Sequence, residues 1–171
     1  AIAIKPDYAE VHYNLGVTFQ ELGQLDDAIK SCKQAIDIKP DFAEAHNNLG
    51  NAFKDLGQLE AAIKCCEQAI DINPDFAEAH NNLGNTLREV GKLDSALKSY
   101  EKALAIKPDF ADVHYNRGVT LQGLGQLDEA LSSYERAIDL KPDLDSILGV
   151  LLHTKMHLCI WDDFSNSLNK L

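Results

Sequence analysis

The sequence predicts an all-α solenoid, in which antiparallel helix pairs stack side by side. One observation is a unit of 34 residues that recurs four times without a gap. The other is that apolar and small residues inside each unit follow helical spacing in two runs, such as His46, Leu49 and Phe53, then Leu59 and Ala62. The complete units are 9–42, 43–76, 77–110 and 111–144, flanked by residues 1–8, which match the end of a truncated unit, and by the degenerate segment 145–171.

The first helix of each unit, helix A, is expected to begin at a variant of the capping box. In the second unit Asp41 would be the N-cap, and Glu44, three residues later, would bond back to it. Similar pairs precede the other A helices. If places in a unit are numbered from 1 to 34, place 8 is always glycine, which predicts a close approach between helices. These glycines are Gly16, Gly50, Gly84 and Gly118.

The second helix, helix B, is expected to follow a glycine turn and to end before a proline. Glycine at place 15 supplies the chain reversal, and the acidic residue shortly after it suits the positive end of a helix. Proline at place 32 cannot continue a helix interior. The turn glycines are Gly23, Gly57, Gly91 and Gly125, and the prolines are Pro40, Pro74, Pro108 and Pro142.

The 34-residue period, with glycine at place 8, alanine at places 20 and 27 and proline at place 32, resembles the tetratricopeptide repeat, or TPR. The resemblance implies a right-handed superhelix whose A helices line the concave face, with places 2, 5, 6, 9, 12 and 13 directed into it. It also implies that the chain binds proteins or peptides. No phosphate-binding glycine loop or nucleophile motif occurs, so this segment is not expected to be an enzyme or to need a cofactor.

The predicted concave face carries an asparagine at place 6 of every unit. A carboxamide has donors and an acceptor, so it can pair with a peptide group whatever side chain follows. Layers about 10 Å apart match roughly three residues of extended chain, so four asparagines would span about ten residues. The alternative is a tolerated polar residue on a solvated helix face. Asparagine is a mediocre helix former, so its presence in all four units favours a peptide role.

The predicted peptide groove is rich in amides at its middle and aromatic at both ends. Two cations lie at place 12. Its residues are Asn14, Asn48, Asn82, Asn116, Asn47, Asn51, Asn81, Asn85, Tyr13, Tyr115, Lys54 and Arg88.

A narrower resemblance rests on the unit AEAHNNLGNAFKDLGQLEAAIKCCEQAIDINPDF. It is similar to the TPR superhelix of O-linked N-acetylglucosamine transferases, whose asparagine ladder grips the backbone of protein substrates. The string LLHTKMHLCIWDDF resembles the junction between repeats and catalytic region in bacterial homologues. The resemblance implies that the chain is the substrate-recognition arm of a protein glycosyltransferase. Whether a catalytic domain follows Leu171, and how many repeats precede Ala1, stay open.

Two other function classes fit a TPR array. A carboxylate-clamp TPR that binds chaperone tails is disfavoured, because place 5 lacks lysine and place 2 is acidic throughout. The second alternative is an assembly scaffold that self-associates. A first unit without a covering neighbour would expose apolar residues such as Leu15 and Phe19, so we expect this face to pack against another copy.

Amino-acid composition limits the kinds of partner that the chain is expected to bind and the cellular compartment in which it is expected to work. A net charge of -11 and a pI near 4.8 disfavour nucleic acid, which needs clustered Lys and Arg. No apolar run is long enough to cross a membrane and no signal peptide is evident, so we expect a cytoplasmic protein. Cys32 and Cys66, at place 24, are expected to be core residues rather than metal ligands.

The histidines and Arg117 are expected to have structural rather than catalytic or metal-binding roles. A histidine stands at place 4 of every unit, and such regularity indicates a structural role. His153 and His157 share one helical face, but no third ligand is evident, so no metal site is predicted. Arg117 replaces a core leucine, and we expect its stem to pack while its guanidinium reaches an acidic partner or solvent.

The segment after Leu144 departs from the unit. Helical spacing continues, so we expect an irregular helical hairpin from about Asp145 to the end, in which Trp161 and Phe164 fold back over the last unit.

Overall fold

The computed structural model describes residues 6–142 and 145–158, and within them the chain forms nine α-helices and no strand. They are α1 (Pro6–Glu21), α2 (Leu25–Ile38), α3 (Ala43–Asp55), α4 (Leu59–Ile72), α5 (Ala77–Glu89), α6 (Leu93–Ile106), α7 (Ala111–Gly123), α8 (Leu127–Leu140) and α9 (Asp145–His157). The all-α solenoid predicted from the sequence is confirmed.

The helices stack in chain order, and the A helices lie on one side. Each helix packs against the helix before it and the helix after it. In addition α1 contacts α3, α3 contacts α5 and α5 contacts α7, whereas no comparably extensive contact joins two B helices in the described part of the chain. The array therefore curves with its A helices inside, and we call their shared face the inner surface.

The predicted capping box is wrong for α3, α5 and α7. The N-cap of α3 is Phe42, not Asp41, and it makes no side-chain cap bond. Its carbonyl oxygen instead accepts hydrogen bonds from the N–H groups of Ala45 at 3.0 Å and His46 at 3.1 Å. Phe42 is only 7% exposed, and its ring lies 4.6 Å from the Lys39 ammonium. Burial of this ring positions the helix start, and Phe76 and Phe110 take the same place in α5 and α7.

The predicted glycine turn is confirmed at all four A-to-B connections. Gly23, Gly57, Gly91 and Gly125 have φ of 71°, 74°, 83° and 76°, the left-handed region that favours glycine. In the second unit the N–H of Gln58 donates to the carbonyl of Phe53 at 2.8 Å, which closes a Schellman-type turn. The B helices then end two residues before each proline, as predicted.

The place-8 glycines lie against the side chain at place 24, as their small size predicted. A Cβ atom added to Gly84 would lie 2.5 Å from Cε1 of Tyr100, and one added to Gly118 would lie 2.6 Å from Cε1 of Tyr134. In the first two units a cysteine takes the tyrosine's place. Each tyrosine is fully buried in its ring, and it passes beneath helix A towards the inner surface.

Helix α9 continues the array as a further A helix. Leu151 and Leu152 are buried, and Leu151 joins a core cluster with Leu121 and Tyr134. The second half of the predicted hairpin, with Trp161 and Phe164, lies outside the described residues. Among the described helices, none combines the length and apolar character needed to cross a membrane.

Candidate functional site on the inner surface

Asparagines at places 5 and 6 form hydrogen bonds between adjacent A helices. The Asn82 Nδ2 donates to Asn47 Oδ1 at 2.9 Å, and the Asn116 Nδ2 donates to Asn81 Oδ1 at 3.1 Å. Both bonds join residues 35 apart, so each place-6 amide reaches back to place 5 of the preceding unit. We call these four residues the amide ladder.

The hydrogen bonds of the amide ladder fix the orientation of the two donating asparagines, Asn82 and Asn116, which we call its outer members. Because one N–H of Asn82 donates to Asn47, its second N–H and its Oδ1 are left without a side-chain partner in the described part of the chain. The same holds for Asn116. Asn47 is only 5% exposed, and its Oδ1 holds the Asn82 carboxamide in place.

The ladder does not extend through the first unit or into α9. Asn48 is half-buried and has Tyr13, not an asparagine, at place 5 of the unit before it. Asn14 is exposed. At the other end Val150 takes the place-6 position after Tyr115, and both side chains pack on the same core cluster. The ladder is therefore confined to the second, third and fourth units.

The predicted terminal tyrosines lean on the core rather than standing free. The ring of Tyr13 is 5.1 Å from that of Phe42, and the ring of Tyr115 is 6.0 Å from that of Tyr134. Both tyrosines are half-buried. Their exposed portions border the ladder at its two ends.

Two buried tyrosines bring hydroxyl groups to the inner surface from the B helices. Tyr100 donates its hydroxyl hydrogen to Asn85 Oδ1 at 2.9 Å, and Tyr134 donates to Gln122 Oε1 at 2.8 Å. Sequence reasoning placed the side chain at place 24 only in the core. The signal was present, because tyrosine stands opposite the place-8 glycine in the third and fourth units alone.

Charged groups on the inner surface are paired in some layers and not in others. Gln20 Nε2 donates to Asp55 Oδ2 at 2.9 Å, and Lys54 Nζ lies 3.7 Å from Asp55 Oδ1. Arg88 is half-buried, and no ion pair joins it to another described residue. Asn51 is also half-buried. The predicted cations Lys54 and Arg88 thus differ, because only Lys54 has a carboxylate beside it.

The acidic residues at place 2 form an edge that is partly neutralised. Glu78 pairs with Lys107 at 3.4 Å and Asp112 with Lys141 at 3.9 Å. The lysine comes from the turn after helix B of the same unit. In the second unit Asn73 takes that lysine's place, so Glu44 lacks this partner. Exposed pairs of this kind contribute about 0–1 kcal/mol each, so they shape the local potential more than the stability.

Sequence profiles decide the family. Profiles of the TPR repeat match residues 19–57, 50–91 and 84–125, and profiles described as tetratricopeptide repeat match residues 111–144 and 1–30. The chain belongs to the tetratricopeptide repeat family. Among curated proteins, none is similar enough in sequence to count as a relative.

Solved TPR structures share this fold at low identity. A MamA protein superimposes with a TM-score of 0.80 at 22% identity, over 96% of this chain and 90% of its own. PilF of Pseudomonas aeruginosa gives 0.85 at 19%, over 95% and 78%. YrrB, described as a TPR protein with an unusual peptide-binding site, gives 0.71 at 19%, over 93% and 82%. At these identities the likeness shows the fold alone.

The place-4 histidines tie each TPR to the turn before it. The Nε2 of His46, His80 and His114 lies 3.0, 3.0 and 2.9 Å from the carbonyl oxygen of Pro40, Pro74 and Pro108. An imidazole that donates its Nε2–H supplies this carbonyl with a hydrogen bond. The geometry supports the structural role expected of a histidine repeated at one place.

The cysteines and the remaining histidines of this TPR chain offer no chemistry that the structure brings together. Burial, reinforced by Cys65, raises the pKa of Cys32 to about 11 and that of Cys66 to about 12, so both thiols stay protonated and inert near neutrality. The exposed rings of His153 and His157 lie 4.5 Å apart. Within residues 6–142 and 145–158 no group of three possible metal ligands occurs.

Arg117 differs from its expectation in one respect. Its NH1 group donates to the Ser133 hydroxyl at 2.6 Å, so the guanidinium reaches a neutral side chain of its own TPR rather than an acidic partner. Ser133 in turn donates to the carbonyl of Glu129 at 2.9 Å. The arginine stem is half-buried, as predicted.

Proposed function

We propose that this TPR array binds an extended peptide segment along its inner surface, and that the amide ladder holds the peptide by its backbone. The observation that carries the proposal is the pair of inter-helix bonds, Asn82 to Asn47 and Asn116 to Asn81. Each bond uses one N–H of the outer asparagine and leaves a donor and an acceptor. A backbone peptide group offers the complementary pair, an acceptor and a donor.

The fixed orientation of Asn82 and Asn116 supports a role in peptide binding over the alternative that they are only polar residues on a solvated helix face. An exposed asparagine loses side-chain entropy when it binds, at a cost of order 0.5–1.5 kcal/mol per immobilised side chain. Asn82 and Asn116 are half-buried and already held by the preceding TPR, which lowers that cost. Successive layers at roughly 8–10 Å suit about three residues of extended chain each.

We further propose that the chain is the substrate-recognition arm of a larger, cytoplasmic protein glycosyltransferase of bacterial type. The support is the likeness of the repeat unit and of the segment LLHTKMHLCIWDDF to such enzymes. Buried free thiols at Cys32, Cys65 and Cys66 suit a reducing compartment. The peptide bound in the groove would then be part of a protein substrate, while the chemistry would belong to another domain.

The test compares two double variants on an array of random ten-residue peptides. Asn82→Ala with Asn116→Ala removes both outer amides, whereas Gln34→Ala with Gln68→Ala removes two exposed amides from the B helices. We expect the first to weaken binding about tenfold or more, at about 1 kcal/mol for each lost hydrogen bond, and the second to leave it unchanged. Equal binding by both double variants would refute the groove, provided that circular dichroism shows both to be folded.

A second candidate function is an assembly scaffold, and the exposed apolar face of α1 favours it. Tyr8 and Val11 are 58% exposed and Leu15 is 41% exposed. The residues at the corresponding places of the next TPR, such as Ala45 and Leu49, are buried against the unit before them. Burial of apolar area contributes roughly 25 cal/mol per Å², which would favour pairing of this face with a second copy.

A further inference from the structure

Arg88 is a cation that the fold leaves without a partner. Arg88 is half-buried, and no hydrogen bond or ion pair joins its guanidinium to another side chain within residues 6–142 and 145–158. A guanidinium carries five N–H donors and no acceptor, so partial burial without an anion leaves much of its bonding capacity unused. The chain's two other arginines are Arg117, which bonds to Ser133, and the exposed Arg136.

The helix register places no acidic side chain opposite Arg88 on the next TPR. Gln20, at place 12 of the first TPR, donates to Asp55, at place 13 of the next, through a bond of 2.9 Å across 35 residues. Place 13 is acidic in three of the four TPRs, at Glu21, Asp55 and Glu89. The residue 35 positions after Arg88 is Gly123. The position that corresponds to Asp55 in this register therefore has no side chain opposite Arg88.

The backbone does not require glycine at residue 123. Gly123 is the last residue of α7 and does not share the positive φ of the four turn glycines. A Cβ atom there would meet only Leu93 Cδ1 at 3.8 Å, an ordinary van der Waals contact. A Cβ atom fits there without a clash, so close packing does not require glycine at this position.

Other hydrogen-bond donors accompany Arg88. Tyr100 donates to Asn85 Oδ1 and Tyr134 to Gln122 Oε1, so each amide turns its oxygen to a tyrosine and its NH2 group away. Asn85 lies one turn before Arg88 on α5, and Gln122 occupies place 12 of α7.

The charge of Arg88 also acts on the two buried tyrosines. Burial raises the pKa of Tyr100 to about 12, and Arg88 offsets part of that rise. Burial and Tyr115 raise the pKa of Tyr134 to about 12, and Arg88 again acts in the opposite direction. Its charge is thus felt at one hydroxyl of its own TPR and at one of the next.

We propose that Arg88, with the amide N–H groups of Asn85 and Gln122, forms a subsite that binds a carboxylate. The proposal rests on the proposed peptide groove only for the source of that carboxylate, which is an acidic side chain or the free C-terminus of the peptide. The subsite lies at the third and fourth TPRs, alongside the amide ladder. It would select among peptides that the ladder holds without regard to sequence.

The first test uses acetate alone and needs no peptide. The arginine Nε–H resonances of the full chain are followed by NMR during acetate addition, with chloride at equal ionic strength as the reference. Gly123→Glu supplies the missing carboxylate, and Gly123→Gln is the uncharged control of the same size. We expect a saturable shift of the Arg88 signal in the wild type and in G123Q. In G123E we expect the signal to be displaced from the start and to respond to neither salt.

The other two arginines of the chain are internal controls for this titration. Arg117 and Arg136 should shift equally with acetate and chloride, because neither belongs to the subsite. An Arg88 response that is the same for both anions would overturn the proposal, as would a G123E variant that still responds to acetate as the wild type does.

The second test uses amidated ten-residue peptides of Ala, Ser and Thr that carry a single Glu or Gln at successive positions. A matched Gln peptide whose C-terminus is free, so that its only carboxylate is the chain end, tests the other carboxylate source. We expect Glu, at one or two adjacent positions, to bind about tenfold or more tightly than Gln, with the preference retained in G123Q and lost in G123E. A preference for the free C-terminus would instead assign the subsite to a chain end.

The two tests separate failure of the subsite from failure of the groove. Peptides that bind equally well with Glu, Gln or an amidated end would refute the carboxylate subsite and leave the groove intact. Acetate bound at Arg88 without any peptide binding would support the subsite and refute the groove.

Discussion

Single residues decide how close the two helices of a TPR come. The buried ring of Tyr100 fills the space that a side chain at Gly84 would need, and its hydroxyl reaches Asn85 on the inner surface. The same arrangement joins Gly118 and Tyr134, whereas Gly16 and Gly50 cover the smaller Cys32 and Cys66. The identity at place 24 thus determines whether a TPR presents a hydroxyl to its inner surface.

Gly84→Ala is expected to lower the free energy of unfolding by about 1–3 kcal/mol, because its Cβ would lie 2.5 Å from Cε1 of Tyr100 and the buried ring cannot move aside. The matched control is Gly149→Ala, in α9, where an added Cβ meets nothing within 4 Å. That change should be neutral or should stabilise by up to about 1 kcal/mol through helix propensity. Urea unfolding of both variants measures the difference. Equal effects would show that the Tyr100 ring does not require glycine at residue 84.

The helices themselves show which signals in the sequence are local. The glycine turns and proline stops were predicted correctly, because a positive φ and a missing N–H are properties of the residue itself. The starts of the A helices were not, because Phe42 becomes the N-cap through burial against neighbours such as Tyr13.

The amide ladder shows the same limit in the site. The repeat pattern identified Asn82 and Asn116 as inner-surface residues, and the structure places them there. Their partners at place 5 of the preceding TPR depend on how one helix pair is rotated on the next. That rotation follows from packing along the whole interface, so no short pattern in the sequence encodes a bond across 35 residues.

Substitutions at the start of α3 separate capping from burial. Asp41→Ala is expected to change the free energy of unfolding by less than about 0.5 kcal/mol, because its side chain makes no cap bond. Phe42→Ala is expected to cost about 3–5 kcal/mol, because the ring is buried and packs with Ala9, Ala35 and Ala45. Chemical denaturation compares them. A larger loss for D41A than for F42A would restore the capping box.

At the scale of the whole molecule, stability in a solenoid comes from each unit and its contacts with the next. The described helices follow this rule, since contacts join sequential helices and adjacent A helices. One consequence is that the inner surface changes along its length. Its second TPR has a cation neutralised by Asp55, and its third has the open guanidinium of Arg88. A peptide lying along the array would therefore meet a different chemistry in each layer.

The other consequence concerns the exposed apolar face of α1, formed by Tyr8, Val11 and Leu15, which no described helix covers. We expect the 171-residue chain to self-associate as its concentration rises towards the millimolar range, and Leu15→Glu to suppress this, because a carboxylate in an apolar contact would lose its hydration. Leu56→Glu is the control, since Leu56 is 39% exposed, close to the 41% of Leu15, but lies in a turn between helices. Sedimentation equilibrium measures the association. A wild-type chain that stays monomeric, or an L15E variant that associates as strongly as L56E, would show that α1 is not the contact and would remove the support for the scaffold function.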